Sequence, residues 1–360
     1  MYDVTIIGAG PAGSTLARLI GKNYKVQLID KRELKSSTEK PSSVKCCGGL
    51  LAPDAQKLLS KMGLGLPKNV LVEPQLFAVR AIDTQRHLER YYQRYYINID
   101  RQKFDCWLLS MVPLSVDIRL GCNFESYEED NGNFKIKFSD RNNTYIDKTR
   151  ILIGADGASS LVQKQSITKH SSSKTYFAIQ EWVEADNSKF PYFSTVFDPE
   201  ITDYYCWTIP KEKYLVIGAA LNPNDKAPGK FLLLKEKLED FGFQFGKAVK
   251  REGAFINRPT SIRQLSSGTE GIALLGEAGG WISPSSAEGI SYAFRSAIIL
   301  ANILNNSLEN FEKRYLKKTK RLKRNIFAKN IKSHFIFNSF LRKIVMKLGL
   351  HSMDLYKPEQ

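Results

Sequence analysis

Short apolar runs that stop on glycine, one of them followed at once by a helix-spaced segment, set the pattern of this chain. Val4–Ile7 is apolar, Gly8–Gly13 breaks the run, and Ser14–Ile20 resumes with Leu16, Leu19 and Ile20 on one helical face. Lys25–Asp30 reads as a second strand closing on an acid. This opening predicts a strand–turn–helix–strand unit of the dinucleotide-binding kind. Two further buried runs end the same way: Arg150–Ile153 at Gly154-Ala155-Asp156-Gly157, and Ile272–Leu275 at Gly276, with a helix from about Ala287.

Between these runs the pattern changes. Lys31–Pro53 is polar and loop-like, and Asp100 reads as the cap of a helix carrying Phe104, Trp107, Leu108 and Met111. Phe134–Phe138 alternates as a strand. Tyr176–Ala220 is rich in β-branched and aromatic residues, with turns expected at Asp198-Pro199 and Pro210-Lys211, and predicts antiparallel sheet. The segment after Phe311 reads as helical. The expected fold class is α/β: a Rossmann-like domain with an inserted antiparallel β-sheet domain and a C-terminal helical tail. Its expected bounds are 1–70, 98–170 and 258–300 for the first domain, 71–97 and 171–257 for the sheet domain, and 301–360 for the tail.

Length and composition suit a globular protein of about two domains. The net charge of +16 is uneven: Lys313–Lys347 holds 13 Lys or Arg and no Asp or Glu. Phe327, Ile331, Phe335, Phe337, Leu341, Ile344 and Val345 are interleaved with these cations. Two readings fit residues 313–347: a helix lying on an anionic membrane surface, or a helical cap with a solvated basic face. Nucleic acid is not expected as a partner, because charge alone favours it. Five scattered cysteines and the absence of a leader or an 18-residue apolar run point to thiols in a reducing, cytoplasmic setting, at most peripheral to the inner face of a membrane. The four histidines have no ligand spacing, so no metal site is expected.

The glycines carry the first chemistry. Gly8 permits a tight turn, Gly10 lets a pyrophosphate approach the backbone, and Gly13 lets the helix pack closely. The helix N-terminus favours an anion, and Asp30 is spaced to accept hydrogen bonds from a ribose. The two other glycine-ended strands favour FAD over a nicotinamide nucleotide, because a flavin cofactor spans the whole sheet edge. Glu277 is placed for the ribityl hydroxyls, and the helix after Ala287 for the flavin pyrimidine.

The segments VTIIGAGPAG, CCGGLLAPDAQ, INIDRQKFD, GADGASS, ITDYYCWTIPK, FQFGKAVK and LLGEAGGWISPSSAEGISYA resemble the geranylgeranyl reductase family of flavoproteins. That family lies within the p-hydroxybenzoate hydroxylase-like superfamily, and the likeness is greatest to its CbrA-type members. The resemblance implies FAD as cofactor, with NAD(P)H or another reductant as electron donor. It implies cofactor contacts at Gly8, Gly10, Ala12, Gly13, Asp30, Lys31, Gly48, Gly49 and Arg101. It extends these to Asp156, Gly157, Gly276, Glu277, Gly279, Gly289 and Ile290. Asp156 is expected near the pyrophosphate, and Glu277 departs from the aspartate usual at its position.

Cys47-Gly48-Gly49 matches the family segment beside the isoalloxazine, where Cys47 either donates a proton or only fills space. Tyr205 and Trp207 belong to a signature of the family and share one strand face, a pair of aromatic walls for an apolar, lipid-like substrate. Cys47, Tyr205 and Trp207 are the expected catalytic set. Three activities fit: reduction of carbon–carbon double bonds in a prenyl or other lipid-like molecule by hydride from reduced flavin; a flavin-dependent monooxygenase or halogenase; or a flavin-binding sensor or membrane-associated accessory protein without turnover.

Overall fold

The computed structural model describes residues 1–34, 46–166, 173–186 and 191–356. In chain order they form β1 (Tyr2–Ile7), α1 (Pro11–Ile20), β2 (Val26–Asp30), β3 (Leu50–Leu51), α2 (Pro53–Lys61), β4 (Leu76–Asp83) and β5 (Leu88–Asn98). Next come α3 (Arg101–Ser110), β6 (Asp117–Leu120), β7 (Asn123–Asp130), β8 (Asn133–Ser139), β9 (Thr144–Gly154) and α4 (Leu161–Gln165). They are followed by β10 (Lys174–Glu184), β11 (Phe193–Phe197), β12 (Cys206–Lys211), β13 (Tyr214–Leu221), α5 (Ala227–Glu239) and β14 (Ala248–Arg258). Last are β15 (Gly268–Thr269), β16 (Ile272–Leu274), α6 (Ile290–Leu304), α7 (Phe311–Phe337) and α8 (Ser339–Lys347).

The chain divides into two units. One contains Met1–Lys45, Arg101–Lys174 and Asn257–Asn330; the other contains Cys46–Asp100, Thr175–Ile256 and Ile331–Gln360. This division differs from the expected bounds at both ends. Residues 46–70 join the sheet unit because β3 pairs antiparallel with β5, Leu50 opposite Asn98. The tail is no region apart: its first part belongs to one unit and its last part to the other. Part of the polar loop expected between Lys31 and Pro53, and the boundary expected at residues 170–171, lie outside the described residues.

In the first unit the strand order β15-β16-β9-β1-β2-β6 places the three glycine-ended strands side by side. Ile7 stands beside Gly154, and Leu274 on its other side, so the three turns leave one sheet edge together. Strict alternation feeds two cores. Val4, Ile6, Val26, Leu28, Ile151 and Ile153 bury against α1 and α6, whereas Ile29, Leu152, Ile272 and Leu274 bury with Phe124, Phe134 and Phe138 of the β7–β8 hairpin. A sheet covered on both faces accounts for the unbroken burial of β2. α6 begins at Ile290 and not near Ala287, because Ala287 has a left-handed backbone (φ 47°) and Gly289 is the cap.

The second unit is one eight-stranded sheet in the order β14-β10-β13-β12-β11-β4-β5-β3. It is mixed, not antiparallel throughout: β11 runs parallel to β4, with Ser194 opposite Arg80. The turn expected at Pro210-Lys211 lies instead inside β12, and the chain reverses after it, where Glu212 takes a positive φ of 54°. Pro210 is tolerated there because β11 pairs with β12 only as far as Thr208. α5 covers one face, with Phe231, Leu234 and Leu238 packed on Cys206, Leu215, Ile217 and Ala219.

α8 is fastened by a buried ion pair. Arg342 Nε donates to Asp83 Oδ2 at 2.8 Å, its Nη1 donates to the Ile336 carbonyl at 3.0 Å, and its guanidinium lies over Phe197. Arg342→Met leaves the buried Asp83 carboxylate with only Arg86, whose N–H donates at 3.2 Å and whose guanidinium lies at 3.7 Å, and is expected to cost about 2 kcal/mol. Urea unfolding followed by tryptophan fluorescence checks this; an unchanged midpoint contradicts it.

Candidate active site

The first unit supplies an anion cradle. Gly8 has φ 105°, and a Cβ there would stand 2.4 Å from the Ala155 carbonyl oxygen. At Gly13 a Cβ would meet the Gly8 carbonyl oxygen at 1.8 Å, so both positions admit only glycine. Gly10 is open, its nearest neighbour being Arg32 Nη2 at 3.9 Å from a built Cβ. Pro11 opens α1, and neither a side-chain cap nor an acid occupies its first turn. Its free N–H groups suit a pyrophosphate.

Ala12 of α1, Gly276 and Ala293 of α6 converge: a Cβ built on Gly276 lies 3.6 Å and 3.5 Å from the Ala12 and Ala293 methyls. Gly276, Glu277 and Gly279 form a short 3-10 turn after β16. The Glu277 side chain lies beside the start of α6, its Cγ 3.9 Å from a Cβ built on Gly289. Ile290 is buried in the first turn of that helix. The Ser291 N–H of α6 is already taken, by Glu288 Oε1 at 2.7 Å. Gly157 has a left-handed backbone with open space around it.

Two expected contacts turn out to have internal partners. Asp156 ties down the start of α4, whose cap is Ser160: its carboxylate accepts from Ser160 Oγ at 2.6 Å and from the Leu161 N–H at 2.7 Å. Burial pushes this carboxyl up against those hydrogen bonds. Asp30 ties down the glycine turn, accepting from the Ala9 N–H at 2.7 Å, and its other bonds come from Arg32.

Lys31 is exposed, and the cation beside Asp30 is Arg32, which the sequence pattern did not single out. Arg32 Nη1 also donates to Asp105 Oδ2 at 2.8 Å, and Arg101 Nε donates to Asp105 Oδ1 at 2.8 Å. Burial disfavours the Asp105 anion, but Arg101 and Arg32 outweigh it and hold the carboxyl below the usual range. Two arginines and two aspartates thus form a chain of ion pairs leading from the glycine turn to α3. Open Gly10, the uncapped helix and the guanidinium of Arg32 fit the ADP half of FAD; Gly276, Glu277 and Gly289 fit the remainder.

In the second unit, β12 carries the other set. Tyr205, Trp207, Ile209 and Lys211 recur at period two on the face opposite α5, while Cys206 faces the α5 core. The Tyr205 and Trp207 rings are 5.6 Å apart. The indole covers Gly218 of β13, where a Cβ would stand 2.1 Å from the ring, and its Nε1 is buried without a hydrogen-bond partner. Phe337, at the end of α7, approaches both Tyr204 and Tyr205.

Cys47-Gly48-Gly49 runs across this same face. A Cβ on Gly48 would meet Ile209 Cδ1 at 2.5 Å, and one on Gly49 (φ 61°) would meet the Ile99 carbonyl oxygen at 2.3 Å. The Gly49 N–H points to Cys47 Sγ at 3.5 Å, and Gln180 Nε2 donates to the Cys47 carbonyl at 3.4 Å.

Lys211 locks the arrangement. It is 2% exposed, and its ammonium donates to Asn98 Oδ1 at 2.6 Å, the Ile99 carbonyl at 2.8 Å and the Gly49 carbonyl at 3.3 Å. All three acceptors are neutral. Burial therefore lowers the ammonium to about 8, opposed only in part by Cys47, Asp100 and Glu212. Lys211 was missed in the sequence although the period of Tyr205 and Trp207 runs on to it; Pro210 disguised it as a turn residue. Asn98, which also donates to the Pro210 carbonyl at 2.8 Å, gave no sequence signal.

Because the folded value lies below the unfolded one, both states carry the proton below pH 8 and the burial cost is fully present there. Between about pH 8 and 10.5 only the unfolded chain holds the proton, so this group makes stability rise with pH. The gain is roughly 3 kcal/mol at completion. Lys211→Met is expected to abolish that rise in urea-unfolding curves measured across this range; an identical pH profile contradicts the assignment.

A family model described as FAD binding domain matches residues 1–227. The chain is 41% identical over 350 residues to Protein CbrA of Escherichia coli O9:H4 (strain HS), covering 97% of this chain and 94% of that protein. Among solved structures, it is similar to a geranylgeranyl bacteriochlorophyll reductase-like protein from Thermoplasma acidophilum (TM-score 0.80, 20% identity, 96% of this chain and 90% of that one). It is also similar to p-nitrophenol 4-monooxygenase PnpA from Pseudomonas putida DLL-E4 (TM-score 0.65, 14% identity, 98% and 99%). The three adjoining glycine turns and the open cradle at α1 agree with these matches: the chain belongs to the FAD-binding-domain family, as an FAD-dependent oxidoreductase of the CbrA group.

Proposed function

We propose that this oxidoreductase reduces carbon–carbon double bonds of a prenyl or other lipid-like substrate, with NAD(P)H or another reductant as electron donor. The observation that carries this reading is the β12 face, where the Tyr205 and Trp207 rings lie 5.6 Å apart and Ile209 lies against Gly48 of the Cys47-Gly48-Gly49 segment. Such a wall accommodates an elongated apolar molecule at the cost of little polar desolvation. The name of the Thermoplasma acidophilum protein, a geranylgeranyl bacteriochlorophyll reductase-like structure, supports the same substrate class.

Bound FAD, once reduced by that donor, would supply the hydride. The chain's own residues orient the substrate and move the proton that completes the addition. Tyr205 and Cys47 are the protic groups of the wall. Burial, with Tyr204, Tyr96 and Cys47 nearby, pushes the Tyr205 phenol well above its ordinary value, so it keeps its proton throughout the neutral range. Lys211 fixes Gly49, and through it the position of Cys47.

The test uses the FAD-loaded protein reduced without oxygen and then mixed with geranylgeranyl-bearing lipids. The expected result is reoxidation of the flavin with a mass gain of two hydrogens per reduced bond. Products that appear only in air and gain oxygen, or no reoxidation beyond that in buffer, contradict the proposal. Trp207→Ala is expected to raise KM about tenfold through lost apolar contact. Of Cys47→Ala and Tyr205→Phe, the variant lacking the proton donor is expected to slow turnover by about 100-fold; full activity in both contradicts a protic role for this wall.

A further inference from the structure

The second unit ends in helical surface that its own core does not use. Along α8 and its C-cap, Phe340, Ile344 and Leu348 follow one another at four-residue spacing and are 65%, 41% and 66% exposed. The opposite side of that helix is buried through Arg342 and Met346. The last turns of α7 repeat the arrangement, with Ile331 and Phe335 each half exposed while Ser333 is buried. Docking on the unit therefore consumes one side of each helix and leaves an apolar line on the other.

Charge narrows the occupant. Residues 331–350 contain four Lys or Arg and no Asp or Glu. Arg342 is spent on Asp83, so Lys332, Lys343 and Lys347 are the cations available beside the apolar line. An exposed row of Phe, Ile and Leu flanked only by cations has the chemistry of an interfacial helix: the apolar side chains enter the acyl boundary and the ammonium groups meet anionic headgroups. An acidic protein would answer the charge but not five exposed apolar side chains, and a second copy would bring like charges together.

We infer that α8 and the last turns of α7 form a docking surface for an anionic lipid bilayer, entered through Phe340, Ile344 and Leu348. This surface is independent of the substrate assigned above.

The experiment is co-sedimentation of the full-length FAD-loaded protein with vesicles of phosphatidylglycerol mixed with phosphatidylcholine, and with phosphatidylcholine alone. Binding is expected to be about tenfold or more stronger on the anionic vesicles and to weaken with added salt. Phe340→Ser with Ile344→Ser is expected to weaken it by about tenfold, with flavin absorbance and far-ultraviolet circular dichroism confirming the fold. A milder pair, Lys343→Gln with Lys347→Gln, is expected to lower anionic binding while sparing the fold. The inference is overturned if the wild-type protein stays in the supernatant with anionic vesicles. It is also overturned if it binds both vesicle types equally, or if light scattering finds a dimer that the Phe340 and Ile344 substitutions dissociate.

Discussion

A lysine ammonium buried among neutral oxygens is the interaction on which the geometry of the Cys47-Gly48-Gly49 segment and the β12 face depends. Lys211 is carried by the last residue of β12, yet its three acceptors come from the Cys47-Gly48-Gly49 segment and the end of β5. Removing a cation from water costs several kcal/mol, and carbonyl dipoles return only part of that. Such a group persists where the surrounding structure determines its place. Here the β3–β5 pairing, the Ile99 N–H donated to the Gly49 carbonyl at 2.9 Å, and the Asn98 side chain all converge on it. The glycines follow from this: a side chain at Gly48 or Gly49 would collide with Ile209 or with the Ile99 carbonyl.

The first unit solves a different problem, which is to bring backbone donors to an anionic cofactor. Three strands stop on glycine at one sheet edge, and the helices after the first and third approach each other at Ala12 and Ala293. Charge is handled by pairing. Arg32, Asp30, Asp105 and Arg101 are neutral in sum, so two guanidiniums stand near the glycine turn without an uncompensated buried charge.

Much of this was legible because it rests on local rules. The glycine spacing after β1, the acid ending β2 and the second and third glycine-ended strands each left a periodic signal, and the structure places all of them at one edge. Long-range partners were hidden. Nothing near Asp30 in sequence announces Asp105, and nothing announces that Asp156 bonds to the start of α4, a helix too short to be read from periodicity. The parallel pairing of β11 with β4 joins residues more than a hundred positions apart, which alternation alone does not report. Pro210 misled for a physical reason: it marks turns in general, but here it sits past the end of its neighbouring strand, where a missing N–H costs no ladder bond. The period of Tyr205 and Trp207 continues through it to Lys211.

If the buried ammonium governs the Cys47-Gly48-Gly49 segment, its charge reaches the thiol beside it. The direct measurement is the rate of Cys47 alkylation by iodoacetamide as a function of pH, in a Cys46→Ser background, with and without Lys211→Met. A cation near a thiol favours the reactive thiolate, so removal of Lys211 is expected to move the alkylation profile to higher pH, with flavin content and circular dichroism confirming the fold. Superimposable profiles in the two proteins would contradict the account.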